Sequence, residues 1–181
     1  MIAMNDMIAE SYDFPEPLEL LLDHMLYPLP AAEADDFCGA IQRAVGDGRK
    51  NMSLVVWAFL AATLRDIPPQ PEKIQKVIDR VIAGMDLLAS GSRWPEAGSI
   101  HVSIAAFNPG IAGTVIAYAI KAAISDHKAY VAARDADDAL VRCNEDVARA
   151  ATKAAHVIGD RKSQRELIVR LMAEAPALDA R

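Results

Sequence analysis

The stretch SIHVSIAAFNPGIAGTVIAYAI, Ser99 to Ile120, decides what kind of protein this is. It lies in an uncharged run from Ala97 to Ile120, between Glu96 and Lys121. Three readings compete: a membrane span, a ligand pocket, or the middle of a water-soluble core. A bilayer-spanning helix needs about 20 uninterrupted apolar residues. Asn108-Pro109-Gly110 divides the run with a turn and helix-start signal, leaving Ile111 to Ile124 as the continuous helical part, with Lys121 on it. The stretch therefore reads as two short buried elements, the second a central helix. Gly110, Gly113 and Ala117 give that helix one side of small residues on which a neighbour can approach closely.

Outward from this centre the pattern is helical throughout. Leu18, Leu21, Leu22, Met25 and Leu26 recur at i, i+3, i+4, i+7 and i+8 until Pro28 and Pro30 stop the helix. A second helix starts near Pro30, turns Phe37, Ile41 and Val45 inward, and finishes at Gly46 and Gly48. Asn51 or Ser53 caps a third, whose centre from Leu54 to Leu60 is apolar on all sides and so belongs inside other helices. After Pro68, Pro69 and Pro71, with Pro71 read as the first helical residue, a fourth turns Ile74, Val77, Ile78, Val81, Ile82, Met85 and Leu88 inward and ends at Gly91. Ala136 to Ile158 forms a long alanine-rich helix facing inward with Leu140, Cys143, Val147, Ala151, Ala154 and Ile158. Asp160 caps the last, in which Leu167, Ile168, Leu171 and Met172 point to the core.

The expectation is an all-α single domain of seven or eight helices, arranged as a bundle or as stacked helical pairs. Residues 1–14 are read as a lead-in, 15–175 as the helical domain and 176–181 as a tail. Met1, Met4 and Met7 make a soft apolar cluster that docks either on a partner or back on its own domain. The start of the chain lacks a basic segment followed by an apolar one, so it does not read as a secretory signal. Cys38 and Cys143 are far apart in sequence and fit reduced thiols in a cytoplasm.

Charge is distributed unevenly. Residues 1–42 hold nine of the 25 acids and none of the 19 bases, so a net charge of −6 combines a strongly acidic quarter with a mildly basic remainder. This argues against nucleic acid as a partner and for a protein with a basic surface. Asp13, Glu16, Glu19, Asp23, Glu33, Asp35 and Asp36 are the candidate contact residues.

Catalytic patterns are sparse. His24, His101, His127 and His156 include two Asp-His neighbours, Asp23-His24 and Asp126-His127, but adjacent helical residues point about 100° apart and cannot chelate alone. HxxxH, HExxH, GxSxG and phosphate-loop spacings do not occur. Asp135, Asp137, Asp138, Glu145 and Asp146 offer carboxylates, the first three at the start of a helix, where acids meet the positive end of the dipole. The sequence therefore points to no cofactor, no metal ion and no catalytic residue.

The segment VIAYAIKAA (115–123), the alanine-rich helix after it and the closing RKSQRELIVRLM (161–172) resemble the helical immunity proteins encoded beside bacterial toxins. In that family a Tyr-Ala-containing alanine helix precedes a final charged helix with a Gln and a Leu. The likeness covers the C-terminal third, and the acidic first 42 residues lie outside it. It implies a bacterial or phage inhibitor that binds a partner protein without catalysis, and it assigns no individual residue.

Three functions follow for testing. The first is a protein-binding inhibitor or immunity factor with an acidic N-terminal face. The second is a self-associating helical protein, its acids pairing with Arg161, Lys162, Arg165 and Arg170 within one chain or in a homodimer. The third is an enzyme using Asp126, His127, Asp135, Asp137 or Asp138.

Overall fold

A computed structural model describes residues 12–104, 110–132 and 136–178, with side chains left undescribed at 101–104, 110–112 and 136. The lead-in as far as residue 11, with Met1, Met4 and Met7, the Asn108-Pro109 break, Asp135 and residues 179–181 lie outside the described residues, as does the side chain of His101.

The described chain is all-α. Its helices are α1 (Glu16–Leu26), α2 (Ala31–Val45), α3 (Val55–Arg65), α4 (Glu72–Ala89), α5 (Ala97–Ile104), α6 (Gly110–Val131), α7 (Ala136–Val157) and α8 (Arg161–Glu174), with a 3-10 turn at Met52–Leu54 before α3. No described helix is long and apolar enough to cross a membrane. In the decisive stretch α5 runs to Ile104 and α6 begins at Gly110; the residues between them lie outside the described ones. The second of these helices continues seven residues beyond the expected end at Ile124, because Ser125 to Val131 holds no helix breaker.

The core forms around α3. Val55, Val56, Trp57, Phe59, Leu60, Ala61, Thr63 and Leu64 are all buried, as an all-round apolar helix demands. It touches α1, α4, α7 and α8. In a stack of helical pairs each pair would meet only its neighbours, so these contacts distant in sequence make the architecture a bundle. The most extensive packing joins α6 to α7. Ala119, Ala122 and Ala123 on one helix, and Ala150, Ala151 and Ala154 on the other, are buried almost completely. Short side chains let the two backbones come close and exchange many weak dispersion contacts. Gly113 belongs to the small-residue side of α6 and is buried, while Ala117 is half-buried.

Polar groups fix the ends of the helices. Asn51 accepts the Ser53 amide in the turn before α3, and Asp160 accepts the Lys162 and Ser163 amides at the start of α8. Pro71 stands one residue outside α4, as its cap, where an extended backbone suits the proline ring. Gly46 (φ 65°) and Gly91 (φ 80°) close α2 and α4 in the left-handed region that glycine adopts without penalty. Lys50 joins two helix ends that are far apart in sequence. Its ammonium donates to the carbonyls of Ala44 (2.6 Å) at the end of α2 and of Ala173 (2.7 Å) at the end of α8, satisfying acceptors that a helix leaves open. The start of the expected tail is pinned beside it, with the Asn51 amide on the Pro176 carbonyl at 2.7 Å and the Leu178 amide on the Arg49 carbonyl at 2.8 Å.

One inward assignment needs correction. Leu140, expected to face the core, is 54% exposed, because the core contact of α7 begins a turn later at Cys143. On α8, Leu167 and Leu171 pack half-buried against the core as expected, and Gln164 takes a further inward position one turn before Ile168 and Met172. The helix is held by a buried polar contact where the apolar pattern gave no sign of one.

Candidate partner-binding surface

Helix α1 owes its position to its inner face. Leu18, Leu21, Leu22 and Met25 are buried, and the helix packs on α7 and α3. Phe14, buried just before it, stacks on Tyr12 with ring centres 5.6 Å apart. The opposite face of a helix so anchored turns away from the core, with Glu16 and Leu20 exposed and Glu19 and Asp23 half-buried. Glu16, Glu19, Leu20 and Asp23 recur there at three- and four-residue spacing, and Tyr27 follows one turn later as the C-terminal cap. Leu20 is 43% exposed and Tyr27 is 94% exposed.

The carboxylates act on one another. Burial raises the Glu19 carboxyl above its ordinary range, and Asp23, Asp13 and Glu16 raise it further by like-charge repulsion. Four of the seven candidate acids thus occupy one surface. Glu16 also accepts a hydrogen bond from the Asn144 amide of α7 at 3.1 Å. The α2 acids separate from this group. Glu33 forms an ion pair with Arg165 of α8 at 3.8 Å, while Asp35 and Asp36 are exposed on α2. Glu33 and Arg165 realise within one chain an acid-base pairing of the kind expected between the N-terminal quarter and the last helix.

The raised Glu19 pKa has a definite consequence for stability. A carboxyl with a higher pKa folded than unfolded favours the fold fully below its unfolded pKa, and that contribution disappears as pH rises through the folded pKa. Glu19→Gln is therefore expected to melt at a higher temperature than the parent at about pH 7, with the advantage vanishing at about pH 3.5, below the ordinary Glu value. Calorimetry at both pH values checks this. A variant no more stable than the parent at the higher pH would show that burial and the neighbouring acids do not penalise the Glu19 charge.

The residues considered for catalysis are dispersed or engaged. Asp126 pairs with Arg93 at 3.2 Å, and the same guanidinium lies 4.2 Å from the centre of the Tyr130 ring. His127 keeps a buried Nδ1 without a hydrogen-bond partner. Asp137 and Asp138 are exposed in the first turn of α7. Asp146 takes a salt bridge from Lys121 (2.9 Å) and the Ser125 hydroxyl (2.7 Å). Burial works against its ionisation, but these two donors prevail and hold the carboxyl below its usual range. Burial, followed by Asp126 and Asp146, pushes the Cys143 thiol up to about 12; burial and Asp35 also raise Cys38. Both therefore remain thiols, which are poor nucleophiles, near neutral pH. Among the described residues no three His, Cys, Asp or Glu side chains gather as a metal-binding group.

The four-acid group was legible as a run of charge without base, whereas Leu20 and Tyr27 were missed. Leu20 carried a readable signal, because it falls outside the i, i+3, i+4 stripe of buried leucines. Tyr27 beside Pro28 carried none beyond its place at the helix end. Comparison with family profiles, with characterised proteins and with solved structures brings out no match to this chain.

Proposed function

We propose that this chain works by binding a second protein of basic surface through the outer stripe of α1, as a non-catalytic inhibitor or immunity-type factor. The observation that carries the reading is the placement of exposed Leu20 and Tyr27 near four acids, of which Asp23, Asp13 and Glu16 add to the effect of burial in raising the Glu19 carboxyl. Exposed apolar or aromatic side chains can seat in a partner's pocket, and such central anchors supply most of the energy of an interface. The surrounding negative field attracts cationic surfaces, speeds encounter and repels nucleic acid. Neutralising the group with partner lysines or arginines would also relieve the repulsion borne by Glu19.

The test is affinity capture from the source cell's lysate at low and moderate salt, with mass spectrometry of what is retained. The parent chain is expected to hold one basic protein in stoichiometric amount, more weakly as salt rises. With that protein purified, Tyr27→Ala should weaken binding about tenfold, and Asp13→Lys, Glu16→Lys, Glu19→Lys and Asp23→Lys together should remove it. Circular dichroism would confirm that the variants remain folded. Recovery of the chain alone, or of a partner indifferent to both changes, would overturn the proposal.

A further inference from the structure

We infer that the end of the α6–α7 hairpin is a self-association surface, on which a second copy of this chain docks about a twofold axis through Tyr130, Val131, Leu140 and Val141. Among the described residues six large apolar or aromatic side chains are more than half exposed, and these are four of them. Only residues 132–135 separate the two helices, so the last turn of α6 lies beside the first of α7 and the four side chains share one end of the molecule. Neither Leu20 nor Tyr27 belongs to this face, which stands apart from the stripe proposed to bind a basic protein.

The exposure arises because the hairpin outruns the core. Ala119 and Ala123 are buried on α6, and Tyr130, three turns on from Ala119, continues their side of the helix into the open. Leu140 does the same on α7, one turn before the buried Cys143. Tyr130 is nevertheless held in place. The Arg93 guanidinium lies 4.2 Å from its ring centre and is itself anchored by Asp126 at 3.2 Å. One side of the ring is thus covered and the remainder is presented, and an aromatic already fixed loses little freedom when a partner covers it.

Charge selects a second copy as the occupant. On α6, Lys128 and Val131 stand three residues apart; on α7, Asp137, Val141 and Glu145 follow at four-residue spacing, and all five are exposed. Lys128, Asp137 and Glu145 take part in no ion pair among the described residues. Asp138 and Arg142, exposed four residues apart on α7, balance each other in charge, and Asp146 is paired with Lys121. Asn144 holds Glu16 of α1 at 3.1 Å, which adds negative charge on the α7 side. The face therefore has one basic edge and one acidic edge. A twofold axis exchanges the edges, bringing Lys128 of each copy to Asp137 of the other while the apolar side chains meet between them. A partner of one charge would be attracted by one edge and repelled by the other. Four apolar side chains from each copy make a small interface, so the dimer is reversible and forms at micromolar or higher concentration.

The experiment is analytical ultracentrifugation of the full chain over a concentration series from micromolar to millimolar. The mass is expected to rise from one chain to two and stop there. Tyr130→Glu and Leu140→Glu should each raise the dissociation constant at least about tenfold, because every substitution enters a symmetric interface twice. Leu178→Glu, at an exposed apolar position elsewhere, should leave it unchanged, and circular dichroism would confirm that all three remain helical. Lys128→Glu and Asp137→Lys should each weaken the dimer alone, and an equal mixture of the two should recover it, since the mixed pair again sets opposite charges together at both edges. A mass of one chain at every concentration would leave this face to another protein or to the chain's own ends and overturn the assignment. Growth beyond two chains, association indifferent to Tyr130→Glu, or a charge-swapped mixture that fails to recover would also overturn it.

Discussion

Gly84→Ala is expected to destabilise the protein by about 2–4 kcal/mol, although alanine is the better helix former by about 1 kcal/mol. Gly84 lies within α4, and a Cβ there would collide with the indole ring of Trp94. Trp94 is only 5% exposed and lies across this notch after the chain reverses at Gly91. To accept a methyl group the ring must leave its seat, surrendering buried area and disturbing the connection to α5. Both partners belong to one contact, so their effects should not add. On a Trp94→Ala background the collision is absent, and Gly84→Ala should become neutral or stabilising by up to about 1 kcal/mol. Urea unfolding of the parent, both single variants and the double variant measures the cycle. An increase in stability on replacing Gly84 in the parent would show that the indole does not occupy the notch.

Gln164→Leu is expected to cost about 2–3 kcal/mol despite replacing a polar side chain by an apolar one of similar size in the core. The Gln164 amide is the donor for the Ile158 carbonyl, close to the end of α7, and the residue is 3% exposed. Leucine would leave that carbonyl without its donor where water does not reach. Thr63, completely buried on α3, contributes less, because its contact with Gln164 is long at 3.5 Å. Thr63→Val should therefore couple only weakly to Gln164→Leu. The turn between α7 and α8 depends on the same amide. Gly159 has φ 77°, and a Cβ there would approach the Gln164 Nε2 to 2.9 Å. A lower denaturation midpoint with an unchanged urea dependence would support the account. A loss below about 1 kcal/mol would show that the Ile158 carbonyl finds another donor.

These two sites mark where reading the sequence falls short. Gly84 stands inside the most clearly amphipathic helix, where its cost against alanine invites a packing explanation, but nothing local names Trp94 as the reason. Gln164 reads as an ordinary polar residue on a charged helix. Its burial depends on α3 and the end of α7 meeting at that point. Lys50 is similar: the carbonyls it joins belong to helices separated by most of the chain. Leu140 fails in the opposite direction, since regular spacing continues along α7 past the point where a neighbour covers it.

The candidate surface divides in the same way. The acids were visible because charge is countable, and the position of Glu16, Glu19 and Asp23 on α1 followed from the buried leucine stripe opposite them. Their separation from Glu33, Asp35 and Asp36 was not visible, because it depends on where α2 and α8 lie.

By itself the sequence determined the helices, most of their ends and their buried faces, together with an acidic quarter and the break that divides its longest uncharged run. Those properties arise from local forces: backbone propensity, proline and glycine geometry, and apolar periodicity. The tertiary structure alone decided the arrangement around α3, the seat of Trp94 on Gly84, the buried duty of Gln164 and the separation of the α1 acids from Glu33, which pairs with Arg165. Each requires residues distant in the chain to meet, and the free energy of such a meeting belongs to the pair and its burial rather than to either local sequence.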